Sequence, residues 1–230
     1  MRAGFRVKAV MFDLDGTLVH TAPEIAVAAN LMLADLNRPA LPYNQIEGYI
    51  GEGAQTLIKR CLAEKPGLTE QQNAESDAAL FEQAEHLFFM HYANNVVESK
   101  PYAGVIDGLQ AIFNKGFRLA CVTNKPEKFT LPLLQKCGLA DFFEMVVSGD
   151  TLQKKKPDPI QLQHICAKFD VPVYEAMLIG DSATDIRAAQ AAGCFIVTVP
   201  YGYNQGKAID ASQVDATIED LTDLTTLIYT

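Results

Sequence analysis

No stretch of this chain approaches the ~20 consecutive apolar residues needed to cross a bilayer. Near the N-terminus, Arg2, Arg6 and Lys8 precede only the short run Ala9 to Phe12, which Asp13 ends. Neither a membrane anchor nor a signal peptide is expected, and a cytoplasmic location follows. Cysteine is sparse: Cys61, Cys121, Cys137, Cys166 and Cys194 are odd in number, scattered, and form no C-x-x-C pair. That argues against a disulfide framework and a structural zinc site, and for free thiols in a reducing compartment. Basic charge is also short. Nineteen Lys and Arg face 28 Asp and Glu, a formal net charge of −9, so no nucleic acid is expected as partner. A small anionic substrate remains compatible, because a local site can be positive on an acidic protein. A Gly-rich P-loop is missing too, which argues against a nucleoside triphosphate. Nothing in the chain calls for an obligate protein partner.

What is present suits a globular enzyme. The 230 residues, 49% apolar and 20% charged, allow one large domain or two of unequal size. Residues 6–12 (RVKAVMF) predict a buried strand. From about 22 to 95 the spacing predicts helices: "APEIAVAANLMLADLN" with Pro23 near its start, "GAQTLIKRCLAE", and a long third helix for which Thr69 is a plausible cap. From about 100, short apolar runs alternate with amphipathic ones. "FRLACVT", "FEMVVSG", "AMLIGD" and "CFIVTVP" predict strands, with helices between them. The expected fold is α/β, a doubly wound, Rossmann-like parallel sheet covered on both faces, with an inserted all-helical unit. The expected boundaries are 1–19 with 99–230 for the α/β core and 20–98 for the insertion, with "ESKPYAG" as the second linker.

In doubly wound sheets ligands bind beyond the carboxyl ends of the strands. There the sequence puts Asp13, Asp15, Gly16 and Thr17 after the first strand, Thr123, Asn124 and Lys125 after "RLACV", Lys156 before Pro157, and Gly180, Asp181, Ser182 and Asp185 after "AMLI". Four converging carboxylates repel unless a cation joins them, and hard oxygen donors suit Mg²⁺. Asp13, ionised at neutral pH, can attack phosphorus. Asp15, two residues on and roughly on the same side of an extended chain, can protonate the leaving oxygen and then deprotonate water. Thr123, Asn124 and Lys156 are expected to bind the phosphoryl oxygens.

The segments "DLDGT" at 13–17, Thr123, Lys156 before a proline, and "GDSATD" at 180–185 occur in the order of the four motifs of the haloacid dehalogenase superfamily. The whole chain resembles its phosphatases with a helical cap after the first strand, and looks closest to the phosphoglycolate phosphatase branch. Supporting stretches are "IGEGAQTLIKR", "VTNKP", "KKKPDP" and "YGYNQGKAID". The resemblance implies Mg²⁺ held by the carboxylate of Asp13, the backbone carbonyl of Asp15 and the carboxylate of Asp181. Asp185 would hold an outer water or orient Lys156. The family commonly has an acidic residue and a serine where this chain has His20 and Thr21, a departure expected at the hinge and away from the chemistry.

The expected activity is Mg²⁺-dependent hydrolysis of a small phosphorylated metabolite, with 2-phosphoglycolate the best single substrate. Expected substrate contacts are Leu14 and Asn124 in the core, and Gly51, Glu52, Gly53 and Arg60 in the insertion. Alternatives are another small phosphoester, a sugar-phosphate mutase, or a phospho-aspartate receiver domain, whose chain order differs. A dehalogenase needs neither Asp15 nor Mg²⁺. Simpler roles compete at several positions: Asp181 as a helix N-cap, Lys154 and Lys155 as exposed charges, and His86 and His91 on different helix faces. Leu80, Leu87, Phe88 and Met90 read as core of the insertion.

Overall fold

The computed structural model describes residues 4–63, 70–94 and 99–230. Strand β1 (Phe5–Arg6), β2 (Ala9–Phe12) and β3 (Val19–His20) lead into helices α1 (Ala22–Asp35), α2 (Tyr43–Glu47), α3 (Ala54–Leu62) and α4 (Glu70–Ala93). Strand β4 (Lys100–Pro101) returns the chain to α5 (Val105–Asn114), β5 (Arg118–Val122), α6 (Glu127–Lys136), β6 (Met145–Val147), α7 (Ile160–Lys168), β7 (Ala176–Gly180), α8 (Ala183–Ala192) and β8 (Phe195–Thr198). The C-terminal elements are β9 (Ala216–Thr217), α9 (Leu224–Leu227) and β10 (Ile228–Tyr229).

Six strands form one sheet in the order β6-β5-β2-β7-β8-β9, parallel throughout. Alternation of side chains along each strand divides two cores. Val10 and Phe12 join Leu119, Cys121, Met177 and Ile179 on the face that α5 and α6 cover. Ala9 and Met11 join Ala120, Val122 and Leu178 on the face that α7 and α8 cover. The strand order turns at β2, whose neighbours β5 and β7 continue in opposite directions. A crevice must open there, beyond the carboxyl ends of those strands.

Helices α1 to α4 share a third apolar cluster, built on Ile25, Met32, Ile46, Ile58 and Phe88, with Tyr203 of the α/β part packed into it. Phe88 is buried as the spacing predicts, but Met90 on the same helix is 40% exposed. Thr69 lies outside the described residues. The expected strand over 6–12 is interrupted: β1 pairs with β10, away from the main sheet. Val19 pairs with Pro101 and His20 with Lys100, antiparallel, so the outgoing and returning chains form a two-stranded ribbon.

Candidate active site

Asp13 follows the last residue of β2, and its N–H still donates to the Ile179 carbonyl of β7 at 2.9 Å. The chain then leaves the extended conformation. The N–H groups of Leu18 and Val19 both donate to the Leu14 carbonyl at 3.0 Å, curling the loop around it. Gly16 takes φ +89°, and a Cβ there would meet Asp181 Oδ2 at 2.5 Å. Only glycine lets the loop pass so close to that carboxylate. Asp15 therefore reaches the site through a curled loop rather than by strand alternation, a correction to the extended-chain reading. Its Oδ1 accepts from Thr21 Oγ1 at 2.7 Å and from Lys125 Nζ at 3.0 Å.

On the far side, one oxygen each of Asp13, Asp181 and Asp185 lies within 4.8 Å of the others, and all three residues are buried. Asp181 accepts from Thr17 Oγ1 and from the Tyr203 N–H, both at 2.8 Å. It is not the N-cap of α8; Ser182 is, with its hydroxyl on Asp185 Oδ2 at 2.6 Å. Lys156 is 2% exposed, and its Nζ has three partners: Asp185 Oδ1 at 2.7 Å, Asp13 Oδ1 at 2.8 Å and the Val122 carbonyl at 2.9 Å. An ammonium has three N–H donors, so Lys156 acts here as a fixed charge. Gln161 holds it in place, accepting from its backbone N–H at 3.1 Å.

One lysine cannot match three carboxylates. Burial first, then the charges of Asp185 and Asp181, hold the Asp13 carboxyl well above its usual range, against the pull of Lys156. Asp181 is pushed up to about 7 by burial and then by Asp185. Burial works to lower the Lys156 pKa, but Asp13 and Asp185 outweigh it and the net direction is upward. An all-oxygen donor set with surplus negative charge fits a hard divalent cation. A carboxyl whose folded pKa is raised contributes stability that is full below the unfolded pKa, about 4, and lost as pH rises through the folded one. Protein stripped of divalent cations is thus expected to lose a few kcal/mol between about pH 4 and pH 7. Calorimetry in EDTA checks this: the Tm should fall between about pH 4 and pH 7, and millimolar Mg²⁺ should recover most of it at the upper end. A Tm rising over that interval in EDTA contradicts the assignment.

A cavity of about 50 Å³ lies between this cluster and the helical insertion. Asp13, Asp15, Thr123 and Lys125 line its floor, and Ile25, Leu57, Phe88 and Tyr92 its apolar roof. Gly51, Gly53 and Asn124 also line it, whereas Glu52 and Arg60 do not. Arg60 is turned to Glu52 Oε1 at 2.8 Å and the Tyr49 carbonyl at 3.4 Å. The Asn124 amide donates to the carbonyls of Gly51 at 3.0 Å and Lys156 at 2.9 Å, tying the insertion to the floor. The Leu14 N–H is bonded to Asp13 Oδ1 at 2.7 Å, and the Leu14 side chain is buried in the sheet core. Lys155, expected exposed beside Lys154, is half-buried against the insertion, where a Cβ on Gly53 would meet its Nζ at 2.5 Å.

Several contributors escape a reading of the sequence. Thr21, assigned to the hinge alone, is fully buried and bonded to Asp15, so that departure touches the site itself. The Tyr203 hydroxyl accepts from the N–H groups of Thr21 and Ala22 at 2.8 and 2.9 Å, capping α1, while its own N–H holds Asp181. The "YGYNQG" run is the one signal that pointed there. His20 Nδ1 sits 3.1 Å from the Tyr102 hydroxyl and 3.2 Å from that of Tyr203, a hinge contact. Lys125 is buried on Asp15. Burial lowers its pKa, but Asp15 and Tyr92 outweigh that and the net shift is upward.

Fold and site together define a hydrolytic enzyme with a doubly wound α/β core, its polar rim covered by helices inserted after the first sheet strand. A profile of the haloacid dehalogenase-like hydrolases matches residues 7–193. The chain belongs to that family. It is 47% identical over 223 residues to a phosphoglycolate phosphatase of Thiobacillus denitrificans, covering 96% of each chain. A phosphoglycolate phosphatase of Nitrosospira multiformis is also 47% identical, over 96% of each. Among solved structures, a predicted phosphoglycolate phosphatase from Haemophilus somnus superposes with a TM-score of 0.86 at 35% identity, covering 96% of this chain and 97% of that one. No helix of the described residues is long and apolar enough to cross a membrane.

Proposed function

We propose that this chain is a phosphomonoester hydrolase acting on a small phosphorylated metabolite, 2-phosphoglycolate, as two relatives at 47% identity do by name. The observation that carries the reading is Asp13. Its carboxylate belongs to the acidic cluster and touches Lys156, and the residue also lines the cavity. Asp13 attacks phosphorus and forms an aspartyl-phosphate. Asp15 protonates the departing oxygen, then takes a proton from the water that attacks the intermediate, releasing phosphate and restoring Asp13. Thr123 and the Lys156 charge stabilise the phosphoryl oxygens.

The carboxylates of Asp13 and Asp181 and the Asp15 carbonyl would hold Mg²⁺, with Asp185 fixing Lys156. Bound there, Mg²⁺ supplies the positive charge that lets an anionic ester approach an anionic nucleophile. Residues 20–98 act as a cap that excludes water, and 1–19 with 99–230 as the catalytic core. A cytoplasmic location suits such a substrate and five free thiols. The test is phosphate release from a panel of short phosphoesters, in Mg²⁺ and in EDTA. Release in Mg²⁺, suppressed about 100-fold or more by EDTA, is expected; no release from any ester sinks the proposal.

A further inference from the structure

Lys125 is a cation that the chemistry above does not use. Its side chain is 5% exposed, and its Nζ lies 3.0 Å from Asp15 Oδ1. It also lies 4.7 Å from the centroid of the Tyr92 ring, which α4 brings from the insertion. Of the described residues that line the cavity, Lys125 is the single cation. The other basic groups nearby are spent or turned away. Lys156 has its three donors on Asp13, Asp185 and the Val122 carbonyl. Arg60 faces Glu52, and neither it nor Lys155 lines the cavity. An ammonium offers three donors, and the two contacts to Asp15, at 3.0 and 3.4 Å, go to one carboxylate. Apolar walls at Phe88, Leu57 and Ile25 leave little else to solvate the charge.

We propose that Lys125 is the specificity residue for the leaving group, receiving a carboxylate carried by the alcohol half of the ester. This rests on the phosphoester reading and narrows its substrate class. The oxygen that Asp15 serves and the anion that Lys125 binds must lie side by side, because those two side chains are in contact. The carboxylate therefore sits within a few bonds of the ester oxygen, as in a phosphorylated short hydroxy acid. Tyr92 presents its ring face to the ammonium and holds it at the cavity wall. Because Tyr92 comes from the insertion, the reader is complete only when insertion and core are together.

The experiment compares kcat/KM for 2-phosphoglycolate and for ethyl phosphate, which has the same short carbon chain without the carboxylate, in Mg²⁺. Wild-type protein is expected to favour the carboxylated ester by about 100-fold or more. Lys125→Met is expected to reduce that preference at least about tenfold, chiefly through a higher KM for 2-phosphoglycolate, and Lys125→Arg to recover part of it. A wild-type preference within about threefold overturns the proposal without any variant, so it stays testable if Lys125→Met fails to fold. Equal losses on both esters also overturn it, since Lys125 would then serve Asp15 or the fold alone. Failure of the wild type to release phosphate from any ester is a different result, and strikes the hydrolase reading instead.

Discussion

Asp13→Asn is expected to abolish phosphate release, by about 10⁵-fold or more, while the folded protein becomes no less stable. The amide has the shape of the carboxylate but no anionic oxygen to attack phosphorus, so the aspartyl-phosphate cannot form. Structurally the change is mild. Lys156 keeps Asp185 Oδ1 at 2.7 Å and the Val122 carbonyl at 2.9 Å, and the Leu14 N–H can bond an amide oxygen as it bonds Asp13 Oδ1. One of three buried carboxylates within 4.8 Å of one another is removed. In EDTA at about pH 8 the Tm of the variant should equal or exceed that of the wild type. Phosphate release measured beside calorimetry checks both halves. Activity kept within about tenfold would falsify Asp13 as the nucleophile.

Lys156→Met has the largest expected effect on stability. It takes the ammonium from a group that is almost wholly enclosed, leaving Asp13 and Asp185 without their cation. Removing one partner of a buried ion pair costs about 3–5 kcal/mol, which for a chain of this size lowers the Tm by roughly 10 °C. Activity should fall at the same time, because Lys156 provides positive charge beside Asp13. The loss has a pH signature. Lowering the pH protonates the abandoned carboxyls, so the Tm gap between variant and wild type should narrow between about pH 8 and pH 5. An unchanged Tm at about pH 8 would show that Lys156 is not the counterion of this cluster.

Much of the architecture was legible because it is written in short local patterns. Apolar runs such as "RLACV" and "AMLIG" become β5 and β7, buried along almost their whole length, and the acids and glycines that end such runs mark the rim. What was not legible lacks a local signature. The β3–β4 ribbon is two residues on each side, and its partners, Val19 with Pro101 and His20 with Lys100, come from opposite ends of the insertion. The short helix α2 and the paired ends β1 and β10 are also brief, and they are held by tertiary contacts rather than by propensity. Arg60 followed a plausible chemical argument, yet Glu52, one helix start away, holds it. Lys125 lies in "VTNKP" on the expected rim, but that stretch assigns it no role, and Thr21 was expected to serve the hinge alone; their contact with Asp15 arises only where separate segments meet the same loop.

The sequence alone determined the α/β class and the stock of chemistry: acids after two strands, a lysine before a proline, a threonine between them. Spacing and hydrophobic period are local properties, and they need no partner to be read. Only the tertiary structure decided which of these groups touch. It set Asp13 against Lys156 and Asp15 against Lys125, and it closed Tyr92 over that pair. Directions of side chains depend on how a loop curls and which helix packs above it, and neither is encoded within any single segment.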